Sequence, residues 1–170
     1  MEYRKLIEER YSCKKFADRP VEKEIIDNIL ECVRIAPTAK NFQEQRIYVA
    51  QSADALAKID KHTPCRYGAG TVLVVAYDKN NVFTYPGDRA KSGVEDATIV
   101  ATHMLLAAKN EGIDSCWVNF FDPDKLAAEL GLPENEEIVM LLDLGYPAEG
   151  AAPLPNHTAS KKIEEMVTYI

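Results

Sequence analysis

The 170-residue sequence has no long apolar run, no paired-cysteine motif and no excess of basic charge, and each absence closes off a class of function. Its strongly apolar stretches, such as TVLVVAY (71–77), fall far short of the roughly 20 residues that a membrane-spanning helix needs. The opening MEYRKLIEER is charged from its second residue and has no apolar core, so neither a secretory leader nor a membrane role is expected. The four cysteines, Cys13, Cys32, Cys65 and Cys116, stand 19, 33 and 51 residues apart. That spacing is neither a disulfide framework nor a zinc ribbon. His62 and Cys65 make a single HxxC pair with no second pair nearby, so no metal is expected. A net charge of −7 argues against a general nucleic-acid binder, which needs a basic face to neutralise phosphates. A reducing cytoplasm is the simplest location.

What is present reads as one α+β domain over residues 1–170. Hydrophobic residues at 46% and charged residues at 28% are ordinary for a globular chain, and this length buries roughly 70% of its unfolded surface. Helical spacing of Ile25, Ile26, Ile29, Leu30 and Val33 predicts a helix that Pro37 ends. Strands are expected at 46–50, 71–77, 115–120 and 137–144. The second of these is apolar on both faces, as a central buried strand is. Ser52 is a candidate N-cap, and Asp122-Pro123 opens a helix that Gly131 closes. From Gly93 to Gly112 a long helix is expected. Its stretch ATIVATHMLLAA is apolar nearly all round, which places it in a large core or between subunits.

Two short segments carry chemistry. RYSCKKF (10–16) sets three cations around Ser12, a grouping that suits a phosphate and equally suits a solvated turn. APTAKNFQEQ (36–45) is a loop of turn formers after the first long helix. In this company the two segments resemble the N-terminal signatures of the FMN-dependent nitroreductase family. EDATIVATHMLLAAKNEGIDSCWVNF is similar to that family's central helix and following strand, and LGLPENEEIVMLLDLGYP to its strand ending in Leu-Gly-Tyr-Pro. The four motifs span nearly the whole chain in the family's order.

The resemblance implies a nitroreductase-like fold, with a central mixed β-sheet flanked by helices and the long helix at a homodimer interface. It implies FMN at that interface, with NADH or NADPH as cosubstrate and nitroaromatics, quinones or similar planar acceptors reduced by ping-pong hydride transfer through flavin N5. Arg10, Tyr11, Ser12 and Lys14 match its first flavin-binding motif. Pro37, Thr38, Ala39, Asn41 and Gln43 match the loop that reaches FMN from the other subunit, and Trp117, Val118 and Asn119 the strand beside the flavin ring. Two positions depart from the pattern. Glu44-Gln45 stands where many relatives have Pro-Trp, and Ser160-Lys161-Lys162 where they have an Arg-Lys pair on the phosphate, which leaves that duty to Lys161 or Lys162.

The chemistry explains the residue types. Arg offers a planar fork to a phosphate dianion and Ser a neutral donor. A cation near flavin N1 and O2 stabilises the reduced ring, and Lys14 is the candidate. No side chain is required as nucleophile, so no catalytic residue is assigned beyond that electrostatic role. Lys15 is expected to face solvent, Phe16, Cys13 and Cys116 to be structural, and Glu95-Asp96 and Glu136-Glu137 to be helix-start or surface charge. Ala101 and Ala108 are expected on the interface side of the long helix. Three alternatives stay open: a flavin-storing protein with little turnover, a relative with other flavin chemistry such as reductive dehalogenation or flavin cleavage, and a binder of phosphorylated metabolites. No Rossmann fingerprint exists from which to choose between NADH and NADPH.

Overall fold

The computed structural model describes residues 2–87 and 90–170, and its centre is β2 (Thr71–Asp78), in which every residue but the last is buried. β1 (Gln45–Ala50) and β4 (Glu136–Gly145) flank β2, and β3 (Asp114–Val118) pairs with the far side of β4, giving the order β1-β2-β4-β3. All three pairings are antiparallel. The mixed sheet expected from sequence is therefore antiparallel throughout its named strands. The parallel element is an isolated bridge, Ser12 to Ser115.

Among the described residues five α-helices cover the two faces: α1 (Tyr3–Glu9), α2 (Lys23–Ile35), α3 (Ala53–Asp60), α4 (Gly93–Asn110) and α5 (Pro123–Leu130). Local chemistry sets several of their ends. Ser52 accepts from the Ala55 N–H at the start of α3, and Asp122 accepts from the Lys125 N–H at the start of α5. Gly131 closes α5 with φ of 72°, a left-handed value that a glycine adopts without strain.

Strand alternation divides the core in two. Leu73 and Val75 of β2, with Met140, Leu142 and Leu144 of β4, pack on α2 and α4. Val72, Val74 and Ala76, with Leu141, Cys13, Ile59 and Leu126, form the opposite cluster. A bulge breaks the β2–β4 register, pairing Val75 with Met140 but Ala76 with Ile138, and so leaves Val139 without a ladder partner. The slip turns Ile138 to the same face as Leu141.

The long helix corrects two expectations. Ala101 and Ala108 are fully buried against their own sheet and α2, where small side chains permit close packing. The exposed side of α4 carries Val94, Ile99, Thr102 and His103 instead. Asp96 is not surface charge: it is 3% exposed, and Glu136 also turns inward, accepting from the Tyr48 hydroxyl and facing Arg46. At the other extreme, residues 161–170 are exposed throughout, including Ile163, Met166, Val167 and Tyr169.

Candidate active site

Residues 10–16 lie as an extended strip between the start of β3 and the turn after β4. The Cys13 N–H donates to the Ser115 carbonyl at 2.9 Å, the Phe16 N–H to Tyr67 at 3.0 Å, and the Lys15 carbonyl accepts from Ala148 at 3.1 Å. Cys13 and Phe16 turn into the core, while Ser12, Lys14 and Lys15 stay exposed. Lys15 Nζ leaves for the Glu149 carbonyl at 2.8 Å. That leaves Ser12 and Lys14 facing two adjoining cavities.

The first cavity, of about 280 Å³, is lined by Arg10, Tyr11, Ser12 and Lys14 together with Leu154, Asn156 and His157. Its lining holds cations, a hydroxyl, an amide and an imidazole, and no carboxylate. The second, of about 220 Å³, shares Ser12 and Lys14 and continues over Cys65, Tyr67, Cys116 and the run Trp117 to Phe120. Lys14 thus sits at the junction, its Nζ 5.5 Å from the Tyr67 ring centroid. A polar, cationic end joined to an aromatic and sulfur-lined end suits a ligand with a phosphate at one end and a flat ring at the other. FMN is such a ligand, and the donor set fits it.

The walls are braced from behind. The Trp117 indole N–H donates to Asn119 Oδ1, and Asn119 Nδ2 donates to the Val139 carbonyl at 2.8 Å. Val139 is the residue that the bulge removes from the ladder, so the bulge supplies the acceptor that fixes the end of β3. Burial, then the hydrogen bond to Asp114, pushes the Tyr11 phenol well above its ordinary value. Asp114 is itself paired with Lys109 at 3.0 Å. Burial pushes the Cys116 thiol up to about 12, with Asp143 adding to it, and burial raises the Cys13 thiol as well. Neither sulfur is a thiolate near neutral pH, so neither offers a nucleophile.

The other expected residues lie elsewhere. Pro37, Thr38, Ala39, Asn41 and Gln43 follow α2 and line neither cavity of their own chain. Their loop is tightly built: Lys40, Asn41 and Gln43 have φ of 51°, 58° and 53°, the left-handed region that non-glycine residues adopt at a cost. Thr38 Oγ1 accepts from the Gln43 N–H at 3.1 Å, and Asp96 Oδ1 from the Ala39 N–H at 2.9 Å. Lys161 and Lys162 are exposed on the C-terminal segment and line neither cavity, whereas Asn156 and His157 line the first. Sequence reasoning missed these two, and it missed Cys65, Tyr67 and Phe120 in the second cavity. No local pattern marks them: His157 is placed by the turn Leu154–His157 and by an edge-on contact with Tyr11 at 6.3 Å.

The model of the nitroreductase family matches residues 7–66 and 64–146. The chain belongs to the nitroreductase family. A protein of Archaeoglobus fulgidus that carries the provisional name NADH dehydrogenase/NAD(P)H nitroreductase is 30% identical over 154 residues, spanning 85% of each chain. The crystal structure of a nitroreductase family protein from Clostridium difficile 630 superposes with a TM-score of 0.93 at 36% identity, covering 99% of this chain and 98% of that one. A structure from Exiguobacterium sibiricum, solved in complex with FMN, shares the fold at a TM-score of 0.86 and 17% identity, covering 100% of this chain and 98% of that one. The α+β nitroreductase fold and an oxidoreductase assignment stand on these likenesses. Among the described residues no helix is long and apolar enough to cross a membrane, and no group of three or more His, Cys, Asp or Glu side chains could hold a metal ion.

Proposed function

We propose that this nitroreductase family member is an FMN-dependent NAD(P)H oxidoreductase that reduces planar acceptors such as nitroaromatics or quinones, working as a homodimer. The observation that carries the reading is the pair Ser12 and Lys14, which line both the cationic cavity and the aromatic one and so join a phosphate site to a ring site. FMN, when bound, supplies a two-electron carrier that takes hydride from a nicotinamide and returns it to the acceptor.

The residues around it bind and orient. Arg10 and Ser12 hold the phosphate, with Asn156 and His157 closing the same cavity and Lys161 or Lys162 as candidates to reach it from the exposed segment. Lys14 fixes a positive charge where the ring's polar edge would lie, which favours the electron-rich form. Tyr11, Trp117, Val118 and Asn119 shape the walls, and the exposed Phe120 borders the side open to an acceptor. Pro37, Thr38, Ala39, Asn41 and Gln43 would serve the site of a second copy, since they line none in their own. The exposed apolar side chains on α4 and on residues 163–170 are surface that such a copy would cover.

The test is spectroscopic. The purified protein should be yellow, and Arg10→Ala should weaken FMN binding by about 1.5–3 kcal/mol, the worth of a charge-assisted contact, in a fluorescence titration. NADH or NADPH should bleach the flavin, and a nitroarene or quinone should restore it. A folded Arg10→Ala variant with unchanged affinity would refute the phosphate assignment. Flavin that neither nicotinamide bleaches would make the protein a flavin carrier instead.

A further inference from the structure

Glu44, the residue before β1, has a fully buried side chain that meets Asp96, itself only 3% exposed. Glu44 Oε1 accepts from the Ser92 hydroxyl at 3.1 Å, and that hydroxyl accepts from the Phe83 N–H at 3.1 Å. Asp96 Oδ1 accepts from the Ala39 N–H at 2.9 Å. The remaining oxygens, Glu44 Oε2 and Asp96 Oδ2, are buried with no donor from any third group. Two buried carboxyls that meet in this way are satisfied when one proton lies between them, so that one orphan oxygen donates to the other.

The geometry also says which group keeps the proton. Asp96 lies in the first turn of α4 and accepts from the Ala39 N–H. Burial, then the Asp96 carboxyl beside it, disfavours a charged Glu44 against the opposing bonds from its own backbone N–H and the Ser92 hydroxyl, so the acid is Glu44. We propose that Glu44 and Asp96 share a single proton and together act as the positioning clamp for the loop 37–43, holding it in its strained form only while that proton is present. The clamp has three points: Asp96 fixes Ala39, the Glu44 carbonyl accepts from the Asp78 N–H at 2.9 Å, and Thr38 accepts from Gln43 between them.

Loss of the proton puts a second negative charge into the same buried space. The groups facing it are Asp96 and Ser92 from α4 and, more distantly, Tyr85, whose hydroxyl is already held by Glu95. Among the described residues neither Glu44 nor Asp96 is in an ion pair, and Arg46 reaches the Glu44 main-chain carbonyl at 3.3 Å rather than its carboxyl. Burial, then Asp96, holds the Glu44 carboxyl up at about 7 against an ordinary 4.5, so the clamp is at full strength below about 4.5 and is lost as pH rises through about 7. The loop carries three left-handed non-glycine residues and loosens when its anchor repels itself. This rests on the proposed FMN site only for its consequence, which is that FMN is held more tightly below neutral pH than above it.

The experiment reads the loop and the ligand separately in the full chain. Hydrogen exchange of the peptide spanning residues 37–45, corrected for the intrinsic pH dependence of exchange, should show protection that falls by up to about tenfold per unit as pH rises from about 5 toward 7 and then levels off. Glu44→Gln reproduces the protonated acid: its amide nitrogen donates to Asp96 and its oxygen accepts from Ser92. That variant should keep the loop protected at all pH values tested, as should Asp96→Asn, whose amide can donate to Glu44. FMN affinity, titrated by fluorescence across the same range, should decline with pH in the natural chain and stay level in Glu44→Gln. Equal pH dependence of loop protection in the natural chain and Glu44→Gln would overturn the proposal, and so would a Glu44→Gln chain that does not fold. A loop that behaves as expected in a protein with no affinity for FMN would uphold the shared proton and overturn the flavin reading instead.

Discussion

Asp143 makes the stability of this protein depend on pH in a direction opposite to that of most carboxylates. It lies in β4 between Val72 and Cys116 on the neighbouring strands, is fully buried, and has no hydrogen-bond partner at either oxygen. Arg66 supplies a compensating charge, but its guanidinium is committed to Asp60, at 2.7 and 2.6 Å, and to the Ala69 carbonyl at 2.6 Å. Burial therefore raises the Asp143 carboxyl from 3.8 to about 8, with Arg66 opposing only in part. A group whose folded value is raised gives stability that is fully present below 3.8 and is lost as pH rises through about 8. At about 1.4 kcal/mol per unit, the loss between pH 5 and 8 has an upper bound of roughly 3–4 kcal/mol. Water entry or movement of Arg66 would relieve part of it, so a fall of about half that size is the expected outcome. Asp143→Asn keeps the volume and removes the titration. Urea unfolding followed by circular dichroism at several pH values, with protein and FMN concentrations fixed, gives the difference between the two chains. Glu44 slopes the same way in both and cancels. The variant should gain on the natural chain by about 2 kcal/mol or more as pH rises. A difference that stays constant across that range refutes the reasoning.

Three further outcomes are expected. Lys14→Met should lower the two-electron potential of the bound flavin and slow its reduction more than it weakens binding, and a weaker affinity with an unaltered potential would move Lys14 to the phosphate. Gly93→Ala should destabilise by about 1–3 kcal/mol in urea unfolding, because the added Cβ would stand 2.2 Å from the Tyr77 ring at the start of α4; an unchanged midpoint would show that the ring moves freely. Ile99→Asp places a charge on the exposed side of α4, where it is 37% exposed, and should shift sedimentation toward monomer with parallel loss of flavin absorbance; a monomer that retains FMN at full strength would disprove the shared site.

Much of the fold was legible because its signals are local. β2 reads as a central strand from TVLVVAY alone, and Asp122, Pro123 and Gly131 mark α5 by capping chemistry. Strand direction was not legible, since it depends on which way the chain re-enters the sheet after α3 and α5. The small residues of α4 were misread for a related reason. Composition tells that Ala101 and Ala108 permit close approach, but only packing tells that the approach is to β2, β4 and α2 of the same chain. Asp96 followed the pattern of a helix-start acid, and nothing near it in sequence announces Glu44, which is 52 positions earlier. The grouping of Arg10, Ser12 and Lys14 was legible because one extended strip sets all three on one wall. Asn156 and His157 arrive at that wall by a turn with no motif.

The two halves of the proposed site divide along this line between local and non-local information. The half made by residues 10–14 and 117–120 is complete within one chain, with its ends joined by Lys14. The half carried by residues 37–43 has a strained backbone to which the buried Asp96 carboxyl is bonded at the Ala39 N–H, although it touches neither cavity of its own chain. Strain of about 1 kcal/mol or more per left-handed residue is not retained in a surface loop without some return. Within one subunit no contact of that loop with the cavities supplies the return. In the proposed homodimer the partner's flavin supplies it, and the same assembly covers Ile99, Met166 and Tyr169, which a lone chain leaves in water. A strained loop, uncovered apolar surface and an open-sided cavity are three separate costs of the isolated chain, and a single twofold contact would remove all of them.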